Sequence, residues 1–242
     1  MRTALATPGP KEPMITLYQF EISPFCDKTR RVLHWKKQPY EVHEVSLWQA
    51  LTQLRRLNPT GKLPCLEHDG RFVSDSSEIA LYLEERFPTP PLLPRDPVQR
   101  ALCHVLEDWA DESLYFYEMR LRFGTRENAK RWLPMLAAHD APPFRALAKR
   151  ILPRVLAGQL RQQGIGRKSI AAVLADLERH VSAVATLLDG REFLVGDALT
   201  LADISVFAQL FCIRGSAEGA VAIEKEPSVV RWMSRIDEAT AR

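Results

Sequence analysis

The sequence predicts a small α/β domain of element order βαβαββα joined to an all-helical domain, and three observations carry that prediction. Short β-prone runs alternate with amphipathic stretches up to residue 88. A cluster of prolines (Pro88, Pro90, Pro91, Pro94 and Pro97) then interrupts the chain, and beyond it the apolar spacing is helical nearly throughout. The expected divisions are a disordered, aperiodic tail over residues 1–13, the α/β domain over 14–88, a linker over 89–97 and the helical domain over 98–242.

Residues 14–20 form a β-prone run, and Ser23-Pro24 behind it is a helix start, with Ser as N-cap and the φ of Pro pre-set for the first turn. That helix is expected to reach about Lys37, with Cys26, Val32, Leu33 and Trp35 on its apolar face and Lys28, Arg30, Arg31 and Lys36 on the other; Gln38-Pro39 ends it. Residues 40–45 alternate as a strand. Leu47, Ala50, Leu51, Leu54 and Leu57 have helical spacing up to the break at Asn58-Pro59-Thr60-Gly61. Strands over 65–67 and 71–73 flank His68-Asp69-Gly70, whose Asp-Gly pair supplies the positive φ angles of a tight hairpin. A helix over 76–86 buries Ile79, Ala80 and Leu83 and completes the first domain. Behind the linker, helices are expected near 98–123, 145–162, 168–188, 201–214 and 228–239. Thr200-Leu201-Ala202-Asp203 is a capping-box variant that reads as a structural cap, with Leu199 and Ile204 as its hydrophobic staple.

Hydrophobic residues make up 46% of the chain and charged residues 26%, an ordinary globular composition that excludes disordered and collagen-like classes. The net charge of +3 supplies no global field for nucleic acid or an anionic membrane, and no window approaches the roughly 18 apolar residues of a bilayer span. The most biased stretch, 120–168, holds twelve Lys or Arg and two acidic residues, Glu127 and Asp140; without a groove-reading motif or interleaved aromatics it reads as a solvated face. Cys26, Cys65, Cys103 and Cys212 are far apart, with no Cys-x-x-Cys pair and no His at zinc-ligand spacing, so neither a metal site nor a disulfide framework is expected. Residues 1–13 lack the apolar stretch of a signal peptide, and a cytoplasmic location is the expectation.

Three segments can carry chemistry. Ser23-Pro24-Phe25-Cys26 lies between a strand and a helix amino terminus, where free N–H groups and the helix dipole favour an anion such as a thiolate. Thiols in that setting fall from a pKa of about 8.5 to roughly 3.5–7.5. In Gly61-Lys62-Leu63-Pro64 a proline opens a strand and exposes the preceding backbone groups to an extended peptide. Asp75-Ser76 begins the next helix, and with Lys62 it offers both signs of charge to a zwitterion.

These segments, together with Arg31, Asn58-Pro59-Thr60, Ser77-Glu78-Ile79-Ala80, Tyr82-Leu83 and the box at 200–203, stand in the order and at the spacing of the cytosolic glutathione transferases, and the sequence resembles that family over about 14–239. The resemblance implies a thioredoxin-like amino domain followed by an all-α domain, the glutathione transferase fold. It implies reduced glutathione as co-substrate with no further cofactor and no metal. Ser23 would be the catalytic hydroxyl that holds the glutathione thiol as thiolate. Phe25, Lys62, Leu63, Pro64, Asp75 and Ser76 would bind glutathione: Leu63 by its backbone ahead of a cis Pro64, Lys62 at a carboxylate or neighbouring backbone, Asp75 at the γ-glutamyl ammonium and Ser76 at its carboxylate. The electrophile pocket would draw on Trp109 and Tyr115 of the first helix of the second domain, where at most two of Tyr115, Phe116 and Tyr117 can face one way. The family also implies a homodimer and a role in detoxification, with partners limited to glutathione and an electrophilic small molecule.

The Ser-Pro-Phe-Cys run is similar to serine-type transferases such as the tau class, and also to a glutaredoxin Cys-Pro-x-Cys whose first cysteine is serine. Two other readings follow: a thioltransferase or reductase that depends on Cys26, and a non-catalytic transferase-like binding or scaffold module. Cys26 is otherwise a small packed residue on the helix face, and Ser23 otherwise a simple cap.

Overall fold

A computed structural model describes residues 14–241 of the chain; the expected tail over 1–13 lies outside the described residues. A four-stranded sheet of order β2-β1-β3-β4 forms the first domain. β1 (Ile15–Gln19) runs parallel to β2 (Tyr40–Glu44) and antiparallel to β3 (Cys65–His68), which pairs antiparallel with β4 (Arg71–Ser74). Side chains alternate across a strand, so Ile15 and Leu17 of β1 enter the core on one face, Leu17 in register with Leu66. Asp69 and Gly70 both take positive φ, 52° and 79°, and close the β3–β4 hairpin as the Asp-Gly pair predicts.

Helices α1 (Pro24–Trp35) and α4 (Ser76–Arg86) pack together. The single helix expected over 47–57 is two, α2 (Leu47–Thr52) and α3 (Leu54–Leu57), parted at Gln53. Asp140 of the second domain accepts from the Leu47 and Trp48 backbone N–H groups at 3.0 and 2.9 Å, so the first turn of α2 is held from across the molecule.

The second domain is all helical. The helix expected over 98–123 is interrupted: α5 (Pro97–Trp109) passes through one π-helical turn at Ala110–Leu114 into α6 (Tyr115–Phe123). α7 (Arg126–Leu136) was not expected, because Pro134 and a run of charges mask its period; α8 (Pro142–Gln163), α9 (Ile170–Leu187) and α10 (Leu201–Arg214) follow. α11 (Ala217–Glu224) was also not expected, whereas α12 (Pro227–Thr240) was. Residues 201–210 of α10 are buried on every side, which makes it the central helix. Asp203 at its start is fully buried and accepts from Leu194 N at 2.8 Å, Thr200 N and Oγ1 at 2.9 Å each, and Trp232 Nε1 at 3.0 Å. The cap predicted from sequence thus also ties α10 to α12. Leu199 and Ile204 are both in the core.

Most of the face of α1 expected to meet solvent is instead covered: Lys28 and Arg31 face the second domain, Lys36 is closed in by α4 and the linker, and Arg30 stays half-buried over the first domain. Lys28, Arg31 and Lys36 are all buried. Arg31 bonds Asp27 and Asp237 at 2.8 Å each and Thr240 at 2.9 Å, and its guanidinium lies 4.1 Å from the Phe207 ring centroid. Lys36 pairs with Glu84 and donates to the carbonyls of Phe87 and Pro90 at 2.8 and 2.7 Å. Buried cations are tolerated only when paired and hydrogen-bonded, and each of these is.

Candidate active site

Between the two domains lies a cleft of about 630 Å³. Its first-domain wall is built from the amino ends of α1 and α4 and from the turn before β3, three segments that the strand directions bring to one end of the sheet. The cleft gathers Ser23, Phe25, Lys62, Leu63, Pro64, Asp75 and Ser76 from the first domain and Tyr115 from the second, eight of the ten residues singled out from the sequence.

Ser23 is the N-cap of α1, half-buried at the cleft wall, and its Oγ accepts from Cys26 N at 3.4 Å. In that bond the oxygen accepts, which leaves the hydroxyl hydrogen available to another acceptor. The Leu63–Pro64 peptide bond is cis. The turn before it is fixed by buried Asn58, whose Nδ2 donates to the Lys62 carbonyl at 2.6 Å and whose Oδ1 accepts from Thr60 N at 2.8 Å. Gly61 takes φ of 63° there, with the Arg55 side chain packed where a Cβ would stand. Lys62 itself is exposed.

Asp75 holds a positive φ of 81°, rare for a residue with a side chain, and caps α4 by accepting from Ser77 N at 2.9 Å. Beneath it lies a buried charge cluster that the sequence did not reveal. Lys28 of α1 pairs with Glu107 of α5, bonds Asp111 of the π turn at 2.7 Å and donates to Ser77 Oγ at 3.2 Å. Ser77 also donates to Glu107, and Ser76 to Asp111 at 3.4 Å. One cation faces two carboxylates, so the cluster is net negative. Burial pushes the Asp111 carboxyl up, against the pull of Lys28. Burial also opposes ionisation of Glu107, but Lys28 and Ser77 outweigh it and hold that carboxyl below its usual range. Asp111 Oδ1 is buried without a hydrogen-bond partner beside the cleft.

On the helical wall the Tyr115 ring packs 4.8 Å from Phe25 and 5.2 Å from Phe116, and burial pushes its hydroxyl pKa up. Trp109 stands elsewhere: it and Tyr117 pack on His180 of α9, at 5.5 and 5.2 Å, so Trp109 is corrected from a pocket residue to a packing one. It lies six positions before Tyr115, and that interval does not return a side chain to the same face. Cys26 also stands outside the cleft lining and is fully buried. Burial pushes its thiol up to about 11, outweighing the Phe20 backbone and Ser23 bonds that lower it, so the lowering expected of a helix-start thiol does not reach this sulfur.

The basic stretch 120–168 runs from the last turn of α6 along α7 and α8, and one of its basic residues departs from a solvated face. Arg122 is buried against the cleft, paired with Glu118 and stacked 3.9 Å from the Trp132 ring centroid. Among the described residues no group of three or more His, Cys, Asp or Glu is placed to hold a metal ion, and no helix is long and apolar enough to cross a membrane.

A serine at a helix start, a cis-proline turn and a charged helix cap at one end of such a sheet, faced by a helical domain, define a two-domain thioredoxin-like class of fold with its cleft between the domains, and the comparisons agree with that class. The models for the glutathione S-transferase N-terminal and C-terminal domains match residues 17–91 and 150–239. The chain belongs to the glutathione S-transferase family. It is 34% identical to glutathione S-transferase U2 of Arabidopsis thaliana over 105 residues, 43% of this chain and 47% of that protein, so the match spans about half of that relative's length. Isoprene-epoxide–glutathione S-transferase of a Rhodococcus species is 26% identical over 92% of this chain and 98% of its own. The crystal structure of a glutathione S-transferase from Rhodospirillum rubrum superposes with a TM-score of 0.68 at 27% identity, covering 95% of this chain and 89% of the other.

Proposed function

We propose that the protein is a glutathione transferase of the serine type, which activates the thiol of reduced glutathione for attack on an electrophilic small molecule. The observation that carries this is the Ser23 hydroxyl, which caps the amino end of α1 and opens on the same cleft as Leu63-Pro64 and Asp75-Ser76. The peptide lies across that end of the sheet with its cysteinyl part at Leu63 and its γ-glutamyl end over α4. The Ser23 O–H donates to the sulfur, the dipole of α1 adds to the same field, and the thiol proton passes to water. The thiolate then forms a C–S bond with the electrophile, and the electron pair of the broken bond departs with the displaced group or, where a strained ring opens, stays on the ring's heteroatom, which takes up a proton from water. At the other end, the Lys28–Glu107–Asp111 cluster, with Asp75 at its edge, presents net negative charge to the γ-glutamyl ammonium, and Ser76 faces the carboxylate. Tyr115, Phe116, Met119 and Leu156 line the remaining space and favour an apolar electrophile.

A Cys26-dependent thioltransferase is disfavoured by the burial of that sulfur. A cytoplasmic homodimer with a role in detoxification belongs to the same reading. Val98, Leu102 and Val105 support the dimer, since they repeat at helical spacing on α5 and are exposed. Calorimetry with reduced glutathione tests the proposal: saturable binding supports it, and no binding at millimolar glutathione leaves a transferase-like scaffold without this activity.

A further inference from the structure

We propose that Arg122 is a positioning residue through which the helical domain fixes the loop carrying Ser23; the inference rests on the reading of Ser23 as the activating hydroxyl. Arg122 lies in the last turn of α6, and its Nη1 donates to the Ile22 carbonyl at 3.0 Å, the peptide group that leads directly into Ser23. The same nitrogen donates to Glu118, one turn earlier on α6. The guanidinium carbon lies over the Trp132 ring of α7, 3.9 Å from its centroid. Both partners of the ion pair are sealed from solvent, with side-chain exposures of 2% and 1%.

The rest of the loop is held from within the first domain. Ser23 N donates to Phe20 O at 3.1 Å, Glu21 N donates to Glu44 at 3.2 Å, and Arg30 donates to Glu21 O at 3.1 Å. Arg122 therefore supplies the cross-domain tie, at the residue next to the reacting hydroxyl. Stability alone does not account for the pair. A buried ion pair is often no better than an apolar pair of the same volume, and here Arg122 Nε is left without a hydrogen-bond partner. What an apolar pair lacks is the N–H aimed at Ile22. A lysine keeps the charge but has neither the planar fork nor the stacking face that set the guanidinium between Glu118, Trp132 and the loop. Displacing a reacting group by about 1 Å can cost on the order of a hundredfold in rate, so a loop released at Ile22 loses turnover before it loses ligand.

The test uses the full chain with reduced glutathione and an aryl halide as electrophile. Wild type is compared with Arg122→Lys and with the paired variant Arg122→Met/Glu118→Leu, which leaves no unpaired buried charge. Melting temperature, glutathione affinity, kcat, KM and the thiolate absorbance against pH are measured for each. The expected result is that the paired variant folds and keeps its glutathione KM within about threefold, while kcat falls tenfold or more and the bound-thiolate pKa rises; Arg122→Lys recovers part of the loss. A folded paired variant with wild-type kcat and thiolate titration overturns the proposal. If the paired variant does not fold, Arg122→Lys decides: lowered kcat at unchanged KM supports the positioning role, and unchanged kcat overturns it. Wild type that binds no glutathione refutes the functional reading instead, so the two failures are distinct.

Discussion

Replacing Lys28 by Met removes the sealed cation from the cluster between the domains, whose two carboxylates reach the cleft wall. Lys28 is 1% exposed and reaches Glu107 and Asp111 on one side and Ser77 on the other. Met fills the volume but leaves two buried carboxylates facing each other, and breaking a buried pair from one side costs about 3–5 kcal/mol. For a chain of this length each kcal/mol lowers the melting temperature by roughly 2–4 °C, so the expected fall is about 6–20 °C. The sign with pH follows from the Glu107 carboxyl, which Lys28 and Ser77 hold below its ordinary value of 4.5. A carboxyl lowered in the folded state contributes stability above that value and loses it as pH falls through the folded pKa. Wild type should therefore lose melting temperature on acidification below 4.5, and the gap between wild type and Lys28→Met should narrow there, because the variant's carboxylates protonate without penalty. Asp111, which burial raises, works in the opposite sense and softens the slope. Calorimetric melting of both proteins across the acid range measures this. A deficit under about 1 kcal/mol at neutral pH, or one that widens on acidification, would refute the reasoning. Adding Glu107→Gln and Asp111→Asn to Lys28→Met should restore most of the loss, since the unpaired charges are then gone.

Two further predictions follow from burial. Cys26→Ser should leave conjugation within about twofold of wild type, and native Cys26 should resist alkylation at neutral pH, since its thiol is buried with a pKa of about 11; rapid labelling with iodoacetamide, read by mass spectrometry, contradicts this. Asp203→Ala strips four hydrogen bonds and strands the Leu194 and Trp232 N–H groups, at about 1–3 kcal/mol for each unmet group, so the variant should melt at least roughly 4 °C lower, whereas Asp203→Asn loses less.

What the sequence disclosed was what its local chemistry encodes. Ser23-Pro24 at the head of α1, Asp69-Gly70 in the hairpin and Thr200–Asp203 at the head of α10 are each decided within four residues, and each stands where expected. The cluster under α4 was hidden because its partners lie 79 and 83 residues from Lys28, and a lysine among other basic residues on a helix face gives no sign of a carboxylate waiting across a domain boundary. The same blindness made Arg31 and Lys36 look solvated. α7 was missed for a local reason: Pro134 and four charged residues interrupt the pattern that its contacts with α6 and α8 sustain. Glu118 and Arg122 could be read as an i,i+4 pair, but nothing in the spacing tells that the guanidinium turns inward to Ile22.

The central claim is that the Ser23 hydroxyl holds the glutathione sulfur as thiolate. It is tested most directly by titrating the ultraviolet absorbance of bound thiolate against pH in wild type and Ser23→Ala. A hydrogen bond to a charged acceptor contributes about 1.5–3 kcal/mol, and at 1.36 kcal/mol per unit its loss raises the thiol pKa by roughly one to two units. A thiolate should form near neutral pH in wild type and only at distinctly higher pH in Ser23→Ala, with both proteins folded and both binding glutathione. The same titration curve for the two proteins would contradict it.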